Sequence, residues 1–389
     1  MPIAIKAKKR RIAFITERRA DYSRLRPLLK EAYASTRIEP LLIVTGSHLL
    51  HSVGHTKKWI IADGFVIHAL VRTIDEKDSD TGSMMAKAFG RAVIGMTDAF
   101  LRLKPDIIVA GFDLGAHLAA AIAGAHLNIH VAHLEGGGVS GSVDDTLRHA
   151  LTKFSHLHFP ATAESKDRII RLGEDPRYVF ETGSLSIDTV KSLMYVPKET
   201  ICEKYGLNPE KKLIVFLEHP VTTEEEEASA HIKESLSAIT MAARIHQAEV
   251  LAIYPNIDTG GKRIRASLKI SGVKAVPHIP YDDFLRLLKV ADVLVGNSSS
   301  GIQEAPSFGL PAVNIGTRQQ FRERGNNLVD VHYKREEILD AIKKALCDVK
   351  FIAKVKAGHN PYGGGEAAKK IISILESIEL PPIQKVIPY

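Results

Sequence analysis

Residues 296 to 304 read GNSSSGIQE, with Ser298, Ser299, Ser300 and Gly301 placed directly after the apolar run DVLVG (292 to 296). If that run is a strand and GIQEAPSFG a short helix, the serines stand at the helix amino end, where unpaired N–H groups and the macrodipole attract anions. A diphosphate suits that position, and an ordinary serine cap is the plainer alternative. Glu304, one helical turn on, can accept hydrogen bonds from sugar hydroxyls such as a ribose diol. A second candidate is ITERRADYSRLRPL (15 to 28). Arg19 falls where a strand turns into a helix and can grip phosphate with its fork, while Asp21 can cap that helix. Arg18, Arg24 and Arg26 are read as largely a solvated face.

The segment AHLEGGGVSGSVDDTLRHALTKFSHLHFP (132 to 160) holds acid–base candidates. His133 and Glu135 end a predicted strand, and glycines lead on to Asp144 and Asp145 at a helix start, followed by Arg148 and His149. Carboxylates at a helix start are often caps. Glu135 beside flexible backbone reads more readily as part of a reaction centre. His219 in EHPVTTEE (218 to 225) and Asn256 in YPNIDTGGKRI (254 to 264) also stand at strand ends. The pairs His130/His133 and His156/His158 lack an evident third ligand, so no metal is expected. Without a P-loop lysine, a GxGxxG fingerprint or a GxSxG elbow, kinase, dehydrogenase and hydrolase-triad readings lose support.

These residues need strand ends to hold them, and the sequence supplies them twice. RIAFI (11 to 15), PLLIV (40 to 44), DIIVA (106 to 110), IHVAHL (129 to 134), HLHF (156 to 159) and YVFE (178 to 181) alternate with helical patterns. After the polar stretch 195 to 212 the pattern restarts with KLIVFLE (212 to 218), VLAIYP (250 to 255), VKAVPH (273 to 278), DVLVG and PAVNI (311 to 315). The expectation is an α/β chain of two doubly wound Rossmann-like domains, 1–194 and 195–365. Residues 366–389 are expected to form a helix and tail that pack back on the first domain. Such a pair leaves a cleft at the carboxyl ends of its sheets for a ligand.

The 389 residues suffice for two such cores, and no apolar stretch approaches a membrane span. Two cysteines are too few for a disulfide framework, and a reducing cytoplasm fits them. The net charge of +7 includes a basic cluster at Lys6 to Arg11, but low aromatic content argues against nucleic acid.

Taken in order, RADYS (19 to 23), VTGSHL (44 to 49), DGF (63 to 65), HLEGG, SGSVDDTLRHALTKFSHLHF, HPVTTE, YPNID, GNSSSGIQEAPSFGLPAVNIGTRQ and NPYGGG (360 to 365) resemble the hydrolysing UDP-N-acetylglucosamine 2-epimerases of sialic and related acid biosynthesis. The resemblance spans nearly the whole chain. It implies a glycosyltransferase-B type fold and conversion of UDP-N-acetylglucosamine to UDP and N-acetylmannosamine, with no cofactor. A homo-dimer or homo-tetramer is implied as well. By matched position, Arg19, Ser23, His219, Asn256, Ser298 to Ser300, Gly301 and Arg318 are implied UDP contacts, and Glu304 the ribose partner. Asp113, Glu135, Asp144 and His219 are the implied acid–base set.

Three stretches depart from the family pattern. Gly111, Phe112, Asp113 and Leu114 stand where HGDR is common, and Glu135 to Gly138 reads EGGG where EGGE is usual. Glu17 and Arg18 replace small residues before RAD. All three are expected at the sugar end of the cleft. An epimerase for a UDP-2,4-diacetamido-2,4,6-trideoxyglucose, a non-catalytic UDP-sugar-binding protein and a glycosyltransferase therefore stand as alternatives.

Overall fold

The computed structural model describes residues 8–387 except 53, 80, 113–114, 141–143, 222–223, 225 and 256–260. The chain divides into two compact units. One is built on residues up to 138, 144–188 and from 363 onward; the other is built on 189–362.

In the first unit, β1 (Arg10–Thr16), β2 (Ile38–Thr45), β3 (Ile67–Val71), β4 (Ile107–Gly111), β5 (His130–Leu134) and β6 (Leu157–Phe159) form a parallel sheet in the order β3-β2-β1-β4-β5-β6. Alternation along β1 sends Ile12 and Phe14 to one face and Ala13 and Ile15 to the other, and all four are buried in separate apolar clusters. Each large side chain so buried contributes about 1.5–3 kcal/mol. The helices covering this sheet are α1 (Arg19–Ala34), α2 (Lys57–Ala62), α3 (Gly82–Leu103), α4 (Gly115–His126), α5 (Asp144–Phe154) and α6 (Ala163–Arg171). The division between units falls within α7 (Leu185–Ser192).

The second unit opens with α8 (Lys198–Lys204). Its sheet contains β7 (Leu213–Leu217), β8 (Glu249–Ile253), β9 (Ala275–Val276), β10 (Val293–Gly296), β11 (Ala312–Ile315) and β12 (Leu328–Val331), in the order β12-β11-β10-β7-β8-β9, again all parallel. Its helices are α9 (Ala228–His246), α10 (Gly261–Ile270), α11 (Tyr281–Val290), α12 (Arg335–Cys347) and α13 (Val349–Lys356). Among the described residues, no helix is long and apolar enough to cross a membrane.

Several elements differ from the sequence reading. Edge strands β3 and β12 were not expected, because strands with one neighbour carry a weaker apolar pattern, and both are only partly buried. The expected strand YVFE contributes one isolated bridge, Val179 to His158. VKAVPH shrinks to the two residues of β9. GIQEAPSFG is not an α-helix: it forms 3₁₀ turns at Ser299–Gly301 and Ala305–Phe308. Pro306 and the left-handed Gly309 stop the second turn from lengthening.

The last helix, α14 (Ala367–Ser377), buries Ile371, Ile372 and Leu375 in the cluster that holds Leu28 and Leu29. Its first amides, Ala367 and Ala368 N–H, donate to the Asp188 carboxylate at 2.9 and 2.6 Å. The tail beyond it is tied down by histidines that might have suggested a metal. His130 Nε2 donates to Pro381 O at 2.8 Å and His156 Nε2 to Ile383 O at 3.0 Å. Among the described residues, no group of three or more metal-ligating side chains gathers. Lys385 Nζ lies 2.5 Å from Ser155 O and 2.5 Å from Glu174 Oε2. Lys153 and His158 also engage Glu174. Burial pushes the Glu174 pKa up, but these partners outweigh it and hold the carboxyl at about 2.

A depressed carboxyl pKa adds stability above the unfolded value, and that stability is lost as pH falls toward 2. Lys385→Met is therefore expected to cost about 2 kcal/mol at pH 7 in denaturant unfolding, with the loss shrinking near pH 3. An equal loss at both pH values would show that the ion pair is not its source.

Candidate active site

In an open parallel sheet, ligand sites form where neighbouring strands send the chain in opposite directions. Those positions are β1/β4 in the first unit and β7/β10 in the second.

At the first, Asp21 accepts the backbone N–H groups of Glu17 and Arg18, both at 2.8 Å. It thus caps α1 from inside the first turn, as one half of a capping box. His117 on α4 joins Asp21 to β4. Gly111 N–H donates to its Nδ1 at 3.0 Å, so the ring proton sits on Nε2, 3.1 Å from Asp21 Oδ2. Burial works against the Asp21 charge, but His117 and the backbone amides hold its pKa below the ordinary range. Glu17 Oε2 accepts Ala116 N–H at 3.1 Å near the start of α4, and burial raises the Glu17 pKa.

Arg19 opens α1 with no hydrogen bond or ion pair to its guanidinium among the described residues, and burial lowers its pKa to about 10. A half-buried cation of this kind is stabilised by an anion. Ser23 is occupied in part by donating to Arg19 O at 2.9 Å.

Glu135 follows β5 with a left-handed φ of 54°. Its Oε1 accepts Ser184 Oγ–H at 2.7 Å and Leu185 N–H at 3.0 Å, and Arg24 lies 3.6 Å from Oε2. Arg24, one of four arginines of which some are expected on a solvated face, is paired here. Asp144 begins α5. The adjacent Asp145 meets the buried Arg148 at 2.5 Å, and Arg148 also donates to Gly138 O at 2.8 Å. Asp113 and Asn256 lie outside the described residues.

In the second unit the organising residue is Asn297, which sequence reasoning passed over. His219 N–H donates to its Oδ1 at 2.7 Å, and its Nδ2 donates to His219 O at 2.8 Å, so the end of β10 grips the end of β7. Arg318 Nη1 and Gln319 Nε2 both donate to Asn297 O, at 3.2 and 3.0 Å. His219, Asn297, Arg318 and the serine turn are thus one assembly. Ser298 Oγ caps the turn by accepting Ser300 N–H at 3.3 Å.

Glu304 is 1% exposed. Tyr281 O–H donates to Oε1 at 2.9 Å, while Oε2 is buried without a hydrogen bond among the described residues. The segment around it is pinned by Asn360, whose Nδ2 donates to Gln303 O and Ser307 Oγ, both at 2.7 Å. That gives the NPYGGG motif a local purpose. Asn327 similarly braces Gly301 O and Leu310 O. Glu218, immediately before His219, is a further buried acid that sequence reading did not select. Burial pushes its pKa to about 7, with a smaller opposing effect from Ser235.

The sequence model described as UDP-N-acetylglucosamine 2-epimerase matches residues 30–376. A UDP-N,N'-diacetylbacillosamine 2-epimerase (hydrolyzing) of Legionella pneumophila is 37% identical over 95% of this chain and 97% of its own length. A UDP-N-acetylglucosamine 2-epimerase of Neisseria meningitidis serogroup B is 32% identical over 96% of each. Among solved structures, the UDP-GlcNAc 2-epimerase from Neisseria meningitidis bound to UDP-GlcNAc superposes with a TM-score of 0.81 at 18% identity, covering 94% of this chain and 99% of that one. The Methanocaldococcus jannaschii enzyme in complex with UDP-GlcNAc and UDP gives 0.78 at 18% identity, with the same coverage. The two doubly wound units are thus of the glycosyltransferase-B fold class.

Gly296 is tightly constrained at the β7/β10 strand ends. Its φ is 132°, and an added Cβ would lie 2.1 Å from Leu217 O. Gly296→Ala is expected to cost about 3 kcal/mol or more through backbone strain and overpacking. Chemical denaturation checks this, and an unmoved midpoint would refute the close β7/β10 approach.

Proposed function

The chain belongs to the UDP-N-acetylglucosamine 2-epimerase family, and from that premise we propose that it is a hydrolysing 2-epimerase, releasing UDP and a C2-inverted sugar from a UDP-linked 2-acetamido sugar. The observation that carries the nucleotide part is Glu304. A buried carboxylate oxygen without a donor is costly, and a ribose diol supplies one. The serine turn offers small polar groups to the diphosphate, with Arg318 tied to the same Asn297. In the first unit, Arg19 is a cation without an acidic partner among the described residues and is assigned to phosphate.

C2–H is poorly acidic, because no carbonyl adjoins that carbon. In the reading supported here, the C1–O bond to UDP breaks as the C2 proton is taken, leaving a C1=C2 alkene. Water then adds its oxygen to C1 while a proton returns to C2 from the other face. The sum is UDP-sugar plus water giving UDP plus the epimer. Acid–base groups are needed on two faces of the sugar, and Asp113, Glu135, Asp144 and His219 are the candidates. Ser184, Leu185 N–H and Arg24 orient the Glu135 carboxyl, as a base requires. Cationic and N–H donors at the diphosphate would stabilise the leaving group.

The greater identity to the Legionella protein favours a UDP-linked 2,4-diacetamido sugar as substrate. UDP-N-acetylglucosamine is the second reading, favoured by the Neisseria relative and the family description. Assaying UDP release from both ranks them, and tight binding without release from either would mark a sensor rather than an enzyme.

In heavy water, deuterium is expected at C2 of the freed sugar, and its absence would exclude the elimination route. Glu304→Ala is expected to weaken UDP binding by about 10- to 100-fold, the range for hydrogen bonds to a charged group. Unaltered titration calorimetry would remove Glu304 from the ribose.

A further inference from the structure

Alternation along β7 puts Leu213, Val215 and Leu217 in one apolar cluster and Ile214 and Phe216 in another. Glu218 continues onto the second face, where the sequence has so far placed apolar side chains. It is 2% exposed, and its Oε2 is buried without a hydrogen bond among the described residues. No cation pairs with it among them. The backbone of the next residue, His219, is held by both ends of the Asn297 amide.

None of the groups that share this corner forms an ion pair with Glu218 among the described residues. Ser235 on α9 interacts with the carboxyl. Tyr333, beyond β12, has its pKa raised by burial and then by Glu218 and Glu224. Glu224 is occupied by Thr317 Oγ–H at 2.5 Å and lies 3.8 Å from His231 Nδ1 on α9, while the His231 ring stacks on Tyr333. Arg318, the cation of this corner, donates to Asn297 O. His219 itself follows on the same strand.

Asn297 therefore joins Glu218 to the anion-receptive side of the turn through a single residue. We propose that Glu218 is a proton-linked element of the nucleotide site: its carboxyl must be neutral for an anion to settle on the Ser298–Gly301 turn, so that nucleotide and proton bind together. The inference rests on the nucleotide reading given above. An ionised Glu218 would place a negative charge in a poorly screened interior, on the residue next to the one that Asn297 holds. The upward displacement of its pKa, to about 7, agrees with the geometry. The same displacement has a consequence for folding. A carboxyl whose pKa is raised on folding lowers stability progressively from its unfolded value, 4.5, up to about 7, and the penalty stays in full above that. Glu218→Gln is isosteric with the neutral acid and is expected to fold, with its largest gain in stability above pH 7.

The test is calorimetric titration of UDP into the full chain and into Glu218→Gln, in buffers of different ionisation enthalpy between pH 6 and 8.5. Every other proton exchange on binding, that of the UDP β-phosphate included, is common to both proteins, so the difference between them reports Glu218. The expected result is an excess proton uptake by the wild type that approaches one per UDP above pH 8. Its affinity should fall relative to the variant by about tenfold between pH 7 and 8.5. Equal proton uptake with intact UDP binding overturns the proton linkage and leaves the nucleotide reading standing. No UDP binding to either protein overturns both. If the variant does not fold, infrared spectroscopy of the wild type at pH 8 replaces it: gain of a protonated-carboxyl band on adding UDP supports the linkage, and no gain refutes it.

Discussion

Two hydrogen bonds made by one side-chain amide fix the carboxyl end of the second unit's sheet. Parallel strands finish with backbone groups that their neighbours cannot satisfy, and at the β7/β10 reversal the chain leaves in opposite directions. Asn297 closes that gap by pairing its amide with both the N–H and the C=O of His219. Its own carbonyl then collects Arg318 and Gln319. Because Gly296 allows β10 to approach Leu217 O closely, the amide can reach; a side chain at 296 would force the strand ends apart. The serine turn, His219 and Arg318 all inherit their positions from this closure.

The buried acids show how environment sorts chemically similar groups. Glu174 meets two lysines and a histidine, and is held ionised to a pH of about 2. Asp21 is held below its ordinary pKa by amides and His117. Glu218 has burial and no cation, and rises to about 7. A group that stays charged at every relevant pH serves as a strut. One that titrates near neutrality can report on an arriving charge. Glu304 has one oxygen satisfied by Tyr281 and the other buried without a donor among the described residues, which is why the ribose contact was proposed for it.

Local pattern made much of this legible. The alternation of apolar runs and helical stretches foretold two doubly wound sheets, because a strand buried on both faces has few ways to read otherwise. The serine run and Glu304 stood out by residue type alone. What was hidden depends on partners far along the chain: His117 meets Asp21 across 96 residues, and Asn297 meets His219 across 78. Nothing beside His117 or Asn297 in the sequence announces those partners. Edge strands β3 and β12 were hidden for another reason, since partial burial leaves them no continuous apolar run. The mistaken helix at GIQEAPSFG came from weighing its apolar spacing above Pro306 and Gly309.

The two strand reversals solve one problem with different chemistry, and the difference bears on their tasks. In the first unit the closing group is a carboxylate: Asp21 and His117 tie the segments after β1 and β4, and Glu17 adds a second acid at the start of α4. In the second it is a neutral amide. A fixed carboxylate would repel a bound diphosphate, so a neutral clamp suits the end where the serines stand. By the same reasoning Glu218 is tolerable beside that clamp only while it is uncharged. A strand-end closure and an anion site can share one residue when the closing group carries no charge of its own, which an asparagine satisfies and an aspartate at 297 would not.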